Sequence, residues 1–206
     1  MRLLVIETAT AACSVALVDD GVLVASLHEV VGRGHAERLL PMIAELPHGG
    51  RADRILVDCG PGSFTGVRVG LAAARALGLG WGVPVAGFSS LALIAAGAFA
   101  ADASLSVAFV AITGGHGELF VQRFVANPPH PVTDLASLPP PAAARAAGAD
   151  VAIGSGAAVL VAARGVGPDR DWLPNAADIL HLPEALSGLA PSPIYGRAPD
   201  AKPAAA

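Results

Sequence analysis

The sequence predicts an α/β protein of two lobes, and three observations lead to that fold class. Apolar runs of strand length, separated by turn residues, fill about the first 30 positions. Helical spacing of apolar residues begins at His35, and a second, shorter series of strands starts near residue 106. The 206 residues are 53% hydrophobic, which is enough for a substantial core. We expect a first lobe over residues 1–101 and a reduced second lobe over 102–206, with an extended tail over 191–206.

The first lobe is predicted to follow the order β-β-β-α-β-α. Its opening meander consists of three apolar runs, RLLVIE (2–7), CSVALV (13–18) and VLVASLHEV (22–30), with a turn at Asp19, Asp20 and Gly21. The next segment, 35–46, is predicted to be a helix, with one apolar face made of Ala36, Leu39, Leu40, Ile43 and Leu46. Pro41 should bend this helix or lie close to its start. The remaining elements are a buried strand over 55–60, a helix over 64–80 and a strand that begins near Pro84.

The second lobe is predicted from shorter elements of the same kinds. SVAFVAI (106–112) and ELFVQRF (118–124) form a hairpin across the glycine-rich turn TGGHG. A proline-rich connection follows over 127–143, and VAIG (151–154) with AAVLVAA (157–163) indicates one more strand and helix. This lobe therefore contains fewer elements than the first.

Charge and hydropathy limit the classes of function. The net charge is −4, and no run of Lys or Arg is present, so any contact with nucleic acid should be made through a partner. The mean hydropathy of +0.59 raises the question of a membrane span. The best candidates, 69–88 and 91–112, are interrupted by Arg75, Pro84 and Asp102, so we interpret them as buried elements and expect no membrane contact.

The compartment is predicted from the N-terminus and the cysteines. The first ten residues have too short an apolar run for a signal peptide and are interpreted as a first strand. Cys13 and Cys59 lie in apolar runs without CxxC spacing, which is typical of buried thiols in a reducing compartment. The predicted location is therefore the cytoplasm.

The segment GPGSFTG (60–66) joins a buried strand to a long helix. A glycine-rich turn before a helix can present backbone N–H groups to a phosphate. The signature is weak, however, because the loop contains no Lys and its glycine spacing differs from the nucleotide fingerprints. The alternative is a tight turn in which Gly60 and Gly62 let the chain reverse.

A stripe of small residues follows on that helix, one at every fourth position: Gly62, Gly66, Gly70, Ala74 and Gly78. Each interior glycine costs about 1 kcal/mol of helix stability, so the stripe predicts that another backbone approaches closely. That backbone could belong to the same chain or to a partner protein, and the small size of the domain favours a partner. A strip on the first helix would complete a four-helix bundle, and the predicted interface consists of His35, Leu39, Met42, Phe64, Gly66, Val67, Gly70, Leu71, Ala74 and Arg75.

Four segments in a fixed order resemble one known family: IETATAACSVAL, HAERLLPMI, GPGSFTGVRVGLAAARALGLG and PVAGFSSL. They are similar to the TsaB (YeaZ) family of tRNA threonylcarbamoyladenosine (t6A) biosynthesis proteins, and the tail PIYGRAPDAKP resembles the family's ending. The resemblance implies the actin, Hsp70 and sugar-kinase (ASKHA) fold. It also implies a non-catalytic scaffold or activator that binds the catalytic subunit TsaD and the ATPase TsaE, contacts tRNA only indirectly, and forms homodimers when alone.

The same resemblance makes a metal or cofactor site unexpected. The catalytic relative holds its metal with a His-x-x-x-His pair, because imidazoles at i and i+4 share one helix face. The matching positions here are Ser90 and Ile94, which cannot act as those ligands, so we expect no metal, no cofactor and no catalytic residue. A peptidase is also disfavoured, because Ser63 and Ser90 do not lie in a GxSxG motif.

A nucleotide-binding enzyme remains the alternative. In the ASKHA fold an acidic residue and a glycine turn at the first strand approach the phosphates; here Ala9 replaces the glycine within the run Glu7, Thr8, Ala9, Thr10. A small ASKHA-type kinase or hydrolase would use Glu7, Thr8, Thr10, Gly60 and Gly62 as vestigial nucleotide contacts. Otherwise Thr8 and Thr10 satisfy the backbone of the turn.

Overall fold

The structure is a computed structural model, and it describes residues 1–196. The strands are β1 (Arg2–Glu7), β2 (Ala12–Asp19), β3 (Val22–Val30), β4 (Arg54–Asp58), β5 (Val85–Phe88), β6 (Val107–Thr113), β7 (Leu119–Val125), β8 (His130–Pro131), β9 (Ala136–Leu138), β10 (Val151–Ile153) and β11 (Asp169–Arg170). The α-helices are α1 (His35–Glu45), α2 (Phe64–Trp81), α3 (Ser90–Ala101), α4 (Pro140–Ala147) and α5 (Ala157–Arg164). Where the sequence predicted an element, its bounds follow the expectation closely, whereas β8, β9, β11 and α4 were not predicted.

The first sheet has the strand order β3-β2-β1-β4-β5. Its first three strands form an antiparallel meander, because Asp20 and Gly21 adopt positive φ and close a tight hairpin. β4 and β5 then add in parallel on the other side of β1, as their helical connections require. The N-terminal order β-β-β-α-β-α is therefore confirmed.

The second sheet repeats part of this plan with shorter strands, in the order β11-β10-β6-β7-β8, and β9 also pairs with β7. The hairpin of β6 and β7 is antiparallel, and β10 and β11 add in parallel. Each lobe thus joins an antiparallel hairpin to parallel strands, with the second lobe reduced. The region 127–143, expected to be a proline-rich connection, contributes two short strands and the start of α4.

One helix lies between the two sheets. α3 has no charged residue, and it is buried along all but its last two positions against core residues of both lobes. A helix that is apolar all round must be enclosed on every side. The burial of α3 explains why the segment 91–112 is apolar enough to resemble a membrane span. Within the described residues, no helix combines the length and the apolar character needed to cross a membrane.

α1 and α2 cover the opposite face of the first sheet. Their buried side chains pack on alternate residues of the central strands, such as Leu4, Ile6 and Val57. Pro41 lies in the middle of α1, where its outward position exposes the ring.

The chain finally returns to the first lobe. Ala176 N donates to Ser14 Oγ at 2.9 Å, Leu189 bridges to Gly87, and Ile194 N donates to Cys59 O at 2.7 Å. Residues 175–196 therefore pack on a lobe that was assigned only to residues 1–101. The rest of the expected extended tail, 197–206, lies outside the described residues.

Candidate functional site

A cleft of about 950 Å3 opens between the two lobes. Its first-lobe wall is the turn 9–11 with the start of α2, and its second-lobe wall is the loop 113–116 with Ser155 and Phe120. Residues 193–196 form a third side. The second-lobe wall could not be predicted from the sequence, because its residues meet the first lobe only through the tertiary fold.

The GPGSFTG segment forms a tight turn and a helix cap. Ser63 is the N-cap of α2, and its side chain accepts from Gly66 N at 3.2 Å, as serine at a helix start commonly does. Ser63 N donates to Ala9 O at 2.6 Å. The start of α2 is therefore bonded to the β1–β2 turn.

Two backbone donors at that turn, Ala9 N and Ala12 N, bond to side chains of the same turn. Glu7 Oε1 accepts from Ala9 N at 2.7 Å, and Thr10 Oγ1 accepts from Ala12 N at 3.3 Å. Thr8 is buried, and its hydroxyl donates to Gly66 O at 2.8 Å. Of the five vestigial nucleotide contacts suggested by the sequence, only Thr10 and Gly62 line the cleft, whereas Glu7, Thr8 and Gly60 do not.

The small-residue stripe of α2 faces the chain's own sheet and turn. A Cβ added at Gly62 would lie 2.0 Å from Ala9 O, and one at Gly66 would lie 2.0 Å from Thr8 O. At Gly70 it would lie 2.4 Å from Thr8 Oγ1. The backbone that approaches closely is therefore the β1–β2 turn. The expectation that this stripe is open to a partner's backbone is wrong.

Most of the predicted interface residues are buried inside the first lobe. The buried ones are His35, Leu39, Met42, Gly66, Val67, Gly70, Leu71 and Ala74; the exposed ones are Phe64 and Arg75. His35 Nε2 is 3.0 Å from Ala12 O, which fixes the start of α1 on β2. These eight residues therefore pack within the first lobe.

The core face of α1 agrees only in part with the expectation, since Leu39, Ile43 and Leu46 are buried as predicted. His35, Leu39 and Met42 pack on the sheet, whereas Ala36 and Leu40, which were assigned to the core, point outward. Both apolar strips have helical spacing and overlap around Leu39, so periodicity cannot choose between them. The position of the sheet determines which strip of α1 is buried.

An apolar surface remains on the outside of the two helices. It consists of exposed residues from α1 and α2, which we call the helix-pair surface: Ala36, Leu40, Ala44, Ala72, Ala76 and Leu79. Leu40 is 54% exposed and Leu79 is 87% exposed. Apolar side chains grouped in this way on two neighbouring helices are typical of a protein–protein contact.

One edge of α2 contacts the C-terminal segment. The Arg68 guanidinium lies 3.4 Å above the centroid of the Phe64 ring and donates to Tyr195 Oη at 3.0 Å. Arg75 donates to Pro191 O. Phe64 and Arg75, the exposed members of the predicted interface, thus hold residues 191–195 against the mouth of the cleft.

Two carboxyl groups are buried beneath the cleft. Glu7 ends β1 and Asp58 ends β4, and both side chains are fully buried. Burial raises the pKa of Glu7 well above its ordinary value, and the charge of Asp58 raises it further. Burial raises the pKa of Asp58 to about 7. Asp58 was not among the residues predicted from the sequence, although an acidic residue directly after the apolar run 55–57 is a signal for such a site.

The positions compared with a metal site lie inside the core. The Ser90 hydroxyl donates to Asp58 Oδ1 at 2.7 Å, and Ile94 packs in the core between the lobes. Over residues 1–196, no group of three or more His, Cys, Asp or Glu side chains is placed to hold a metal ion.

Known proteins are similar to this chain in both sequence and fold. The model of the family described as TsaD, tRNA N6-adenosine threonylcarbamoyltransferase, matches residues 27–127. The tRNA threonylcarbamoyladenosine biosynthesis protein TsaB of Escherichia coli (strain K12) is 41% identical over 125 residues, which cover 58% of this chain and 53% of that protein. A solved structure described as YeaZ from Pseudomonas aeruginosa is 29% identical, with a TM-score of 0.79 over 95% of this chain and 100% of that one.

The two lobes and the cleft between them define an ASKHA-type fold, in which the side chains of Glu7 and Thr10 bond to the backbone of the β1–β2 turn. Within that class, the TsaB protein of E. coli and the YeaZ structure support the TsaB (YeaZ) family for this chain. The sequence match extends over about half the length of the E. coli relative.

Proposed function

We propose that this chain is a non-catalytic subunit of the cytoplasmic machinery that synthesises t6A on tRNA. It binds the catalytic subunit TsaD through the helix-pair surface, assembles with the ATPase TsaE, and contacts tRNA only through these partners. When alone it forms a homodimer through the same surface. The names of its relatives support the pathway, and the outward faces of α1 and α2 support the mode of binding.

The helix-pair surface is the observation that carries this proposal. Leu40 and Leu79 are large apolar side chains exposed on the outside of helices whose inner faces already pack on the sheet. Burying such side chains between proteins stabilises a complex by about 1.5–3 kcal/mol for each. Two helices of a structurally related partner would complete a four-helix arrangement, with alanines at the contact that allow close approach.

The absence of catalysis is supported by the closed turn. The Ala9 backbone donor, which could otherwise meet a phosphate, is bonded to Glu7, and the start of α2 is bonded to Ala9 O. The runner-up function, a small ASKHA-type kinase or hydrolase, is favoured by the size of the cleft. Calorimetric titration of ATP with Mg2+ separates the two. Micromolar affinity that is lost in Glu7→Ala would support the enzyme.

Binding to TsaD can be tested with surface variants. We expect Leu40→Glu and Ala76→Glu to weaken the complex at least about tenfold, because a charge would be buried without a partner. Both residues are exposed, so circular dichroism should show an unchanged fold. Val159→Glu is the matched control, since Val159 is 45% exposed on α5 of the other lobe.

Affinity by calorimetry and activity in reconstituted t6A synthesis are the two measurements. Wild-type affinity in both Leu40→Glu and Ala76→Glu would show that the helix-pair surface is not the contact. Equal t6A formation with and without this chain would instead refute its role as an activator, whatever it binds.

A further inference from the structure

Glu7 and Asp58 stand side by side at the ends of the two central parallel strands. β1 and β4 pair in register up to Ile6 and Val57, and each carboxyl residue comes next on its strand. Neighbouring strands are about 4.8 Å apart, so the two side chains project from adjacent positions on the same face of the sheet. Two fully buried acids in this arrangement need a chemical explanation.

Each acid has one oxygen with partners and one without. Glu7 Oε1 accepts from Ala9 N at 2.7 Å; Asp58 Oδ1 accepts from Gly60 N at 2.6 Å and from the Ser90 hydroxyl at 2.7 Å. Glu7 Oε2 and Asp58 Oδ2 are buried without a partner among the described residues. A buried polar atom left without a partner destabilises the folded state.

Among residues 1–196, no cationic side chain affects the pKa of either acid. The titratable side chains closest to the pair on its own strand β4, on the adjoining strand β2 and in the turn after β4 are the thiols of Cys13 and Cys59, whose pKa values burial raises to about 11. The α3 side contributes the neutral Ser90 hydroxyl, and Asp178 of the segment 176–181 packs farther along α3, against Gly97. Arg68 and Arg75 of α2 reach outward to the C-terminal segment.

We propose that Glu7 and Asp58 share one proton in a buried carboxyl–carboxylate hydrogen bond that ties together the two turns under the inter-lobe cleft. One proton makes either unpartnered oxygen a donor and leaves the other an acceptor, so both are satisfied at once. Two ionised carboxylates at neighbouring positions of the sheet would repel each other, because both side chains are fully buried. The pair therefore carries one negative charge.

The shared proton makes the stability of the turns below the cleft depend on pH. Glu7 holds the turn 8–11 through Ala9, and Asp58 holds the turn 60–62 through Gly60; both turns contribute to the cleft floor. The folded pKa values lie above the unfolded ones near 4, so the folded state retains a proton that the unfolded state has lost. Stability contributed by the pair should fall as pH rises from about 4 through neutral pH.

The direct measurement is a carbon NMR titration of the carboxyl groups in the full-length protein. We expect one protonated carboxyl equivalent at pH 6, shared by Glu7 and Asp58 and titrating with their signals coupled. Metal-free protein should give the same result with and without added MgCl2. The proposal is overturned if both groups are ionised at pH 6, or if Mg2+ removes the protonated signal, since the pair would then be a cation site.

Amide variants test the hydrogen bond itself. In Glu7→Gln or Asp58→Asn, the new amide can keep the existing acceptor bond and donate to the remaining acid, so it replaces the proton. We expect the unfolding constant of wild type in urea to rise at least about tenfold from pH 5 to pH 8, and that of each single variant to change less than about threefold. Glu37→Gln, an exposed carboxyl in the first turn of α1, is the control and should behave like wild type.

The double variant Glu7→Gln with Asp58→Asn distinguishes a shared proton from two acids that contribute to stability independently. Two amide donors would then face each other without an acceptor, so the double variant should be less stable at pH 8 than either single variant. Additive effects of the two substitutions would contradict the shared proton. The NMR titration of wild type decides the question even if a variant does not fold.

Discussion

The stripe on α2 makes a testable prediction about its glycines. Replacing Gly66 by alanine places a Cβ 2.0 Å from the Thr8 carbonyl oxygen, whereas real Cβ contacts are essentially never shorter than 3.0 Å. The start of α2 would have to move away by more than 1 Å. The contacted atom is a backbone oxygen of Thr8, which directly follows the central strand β1. A side-chain rotation therefore cannot relieve the overlap.

The change in the free energy of unfolding can be estimated from the contacts that this movement breaks. Overpacking costs about 1–3 kcal/mol. The bonds Thr8 Oγ1 to Gly66 O and Ser63 N to Ala9 O contribute about 1 kcal/mol each. Alanine returns about 1 kcal/mol through its better helix propensity. Gly66→Ala should therefore lower the free energy of unfolding by about 2–4 kcal/mol.

Urea denaturation followed by circular dichroism measures this change, and Gly80→Ala is the matched control. Gly80 lies on the same helix, is exposed, and has no atom within 4 Å of an added Cβ, so alanine there should stabilise by about 0.5–1 kcal/mol. In Gly70→Ala the added Cβ overlaps only a side-chain atom, the Thr8 hydroxyl oxygen, and lies at ordinary contact distance from Val57 and Ile6, so its stability should fall between those of the other two variants. If Gly66→Ala unfolds at the wild-type urea concentration, close approach to the β1–β2 turn does not explain the stripe.

Two further predictions concern the core and the C-terminal segment. Burial raises the pKa of both thiols, Cys13 and Cys59, to about 11. An alkylating reagent at pH 8 should therefore react with the folded chain at least about 100-fold more slowly than with the urea-unfolded chain. Comparable rates would show that the thiols are accessible. Asn175 caps the 176–181 segment by accepting from Ala177 N at 3.0 Å, and Asn175→Ala should lower the free energy of unfolding by about 1 kcal/mol. Thermal denaturation checks this, and an unchanged midpoint would mean that the cap adds nothing to docking on the first lobe.

Local patterns predicted the elements because their causes are local. The run VLVASLHEV became β3 (Val22–Val30), and the helix predicted over 64–80 became α2 (Phe64–Trp81). Turn residues and serine caps act on neighbours a few positions away, so they can be recognised without knowledge of the fold. The same holds for the buried thiols, which lie in apolar runs.

The sites depended on contacts between residues far apart in the chain. The sequence of α1 contains two overlapping apolar strips, and only the position of the sheet put Met42 inside and Leu40 outside. The pairing of Glu7 with Asp58 arises because β1 and β4 are parallel neighbours although 51 positions separate the two residues.

By itself, the sequence determined the order of strands and helices, the resemblance to one family, and the need for a close approach along the α2 stripe. Only the tertiary structure decided which backbone makes that approach: the chain's own β1–β2 turn fills the space beside Gly66. The physical reason is that a missing Cβ records how near a neighbour comes and carries no information about the chain to which that neighbour belongs. The outer faces of α1 and α2 remain exposed, and they form the surface through which we propose that a partner binds.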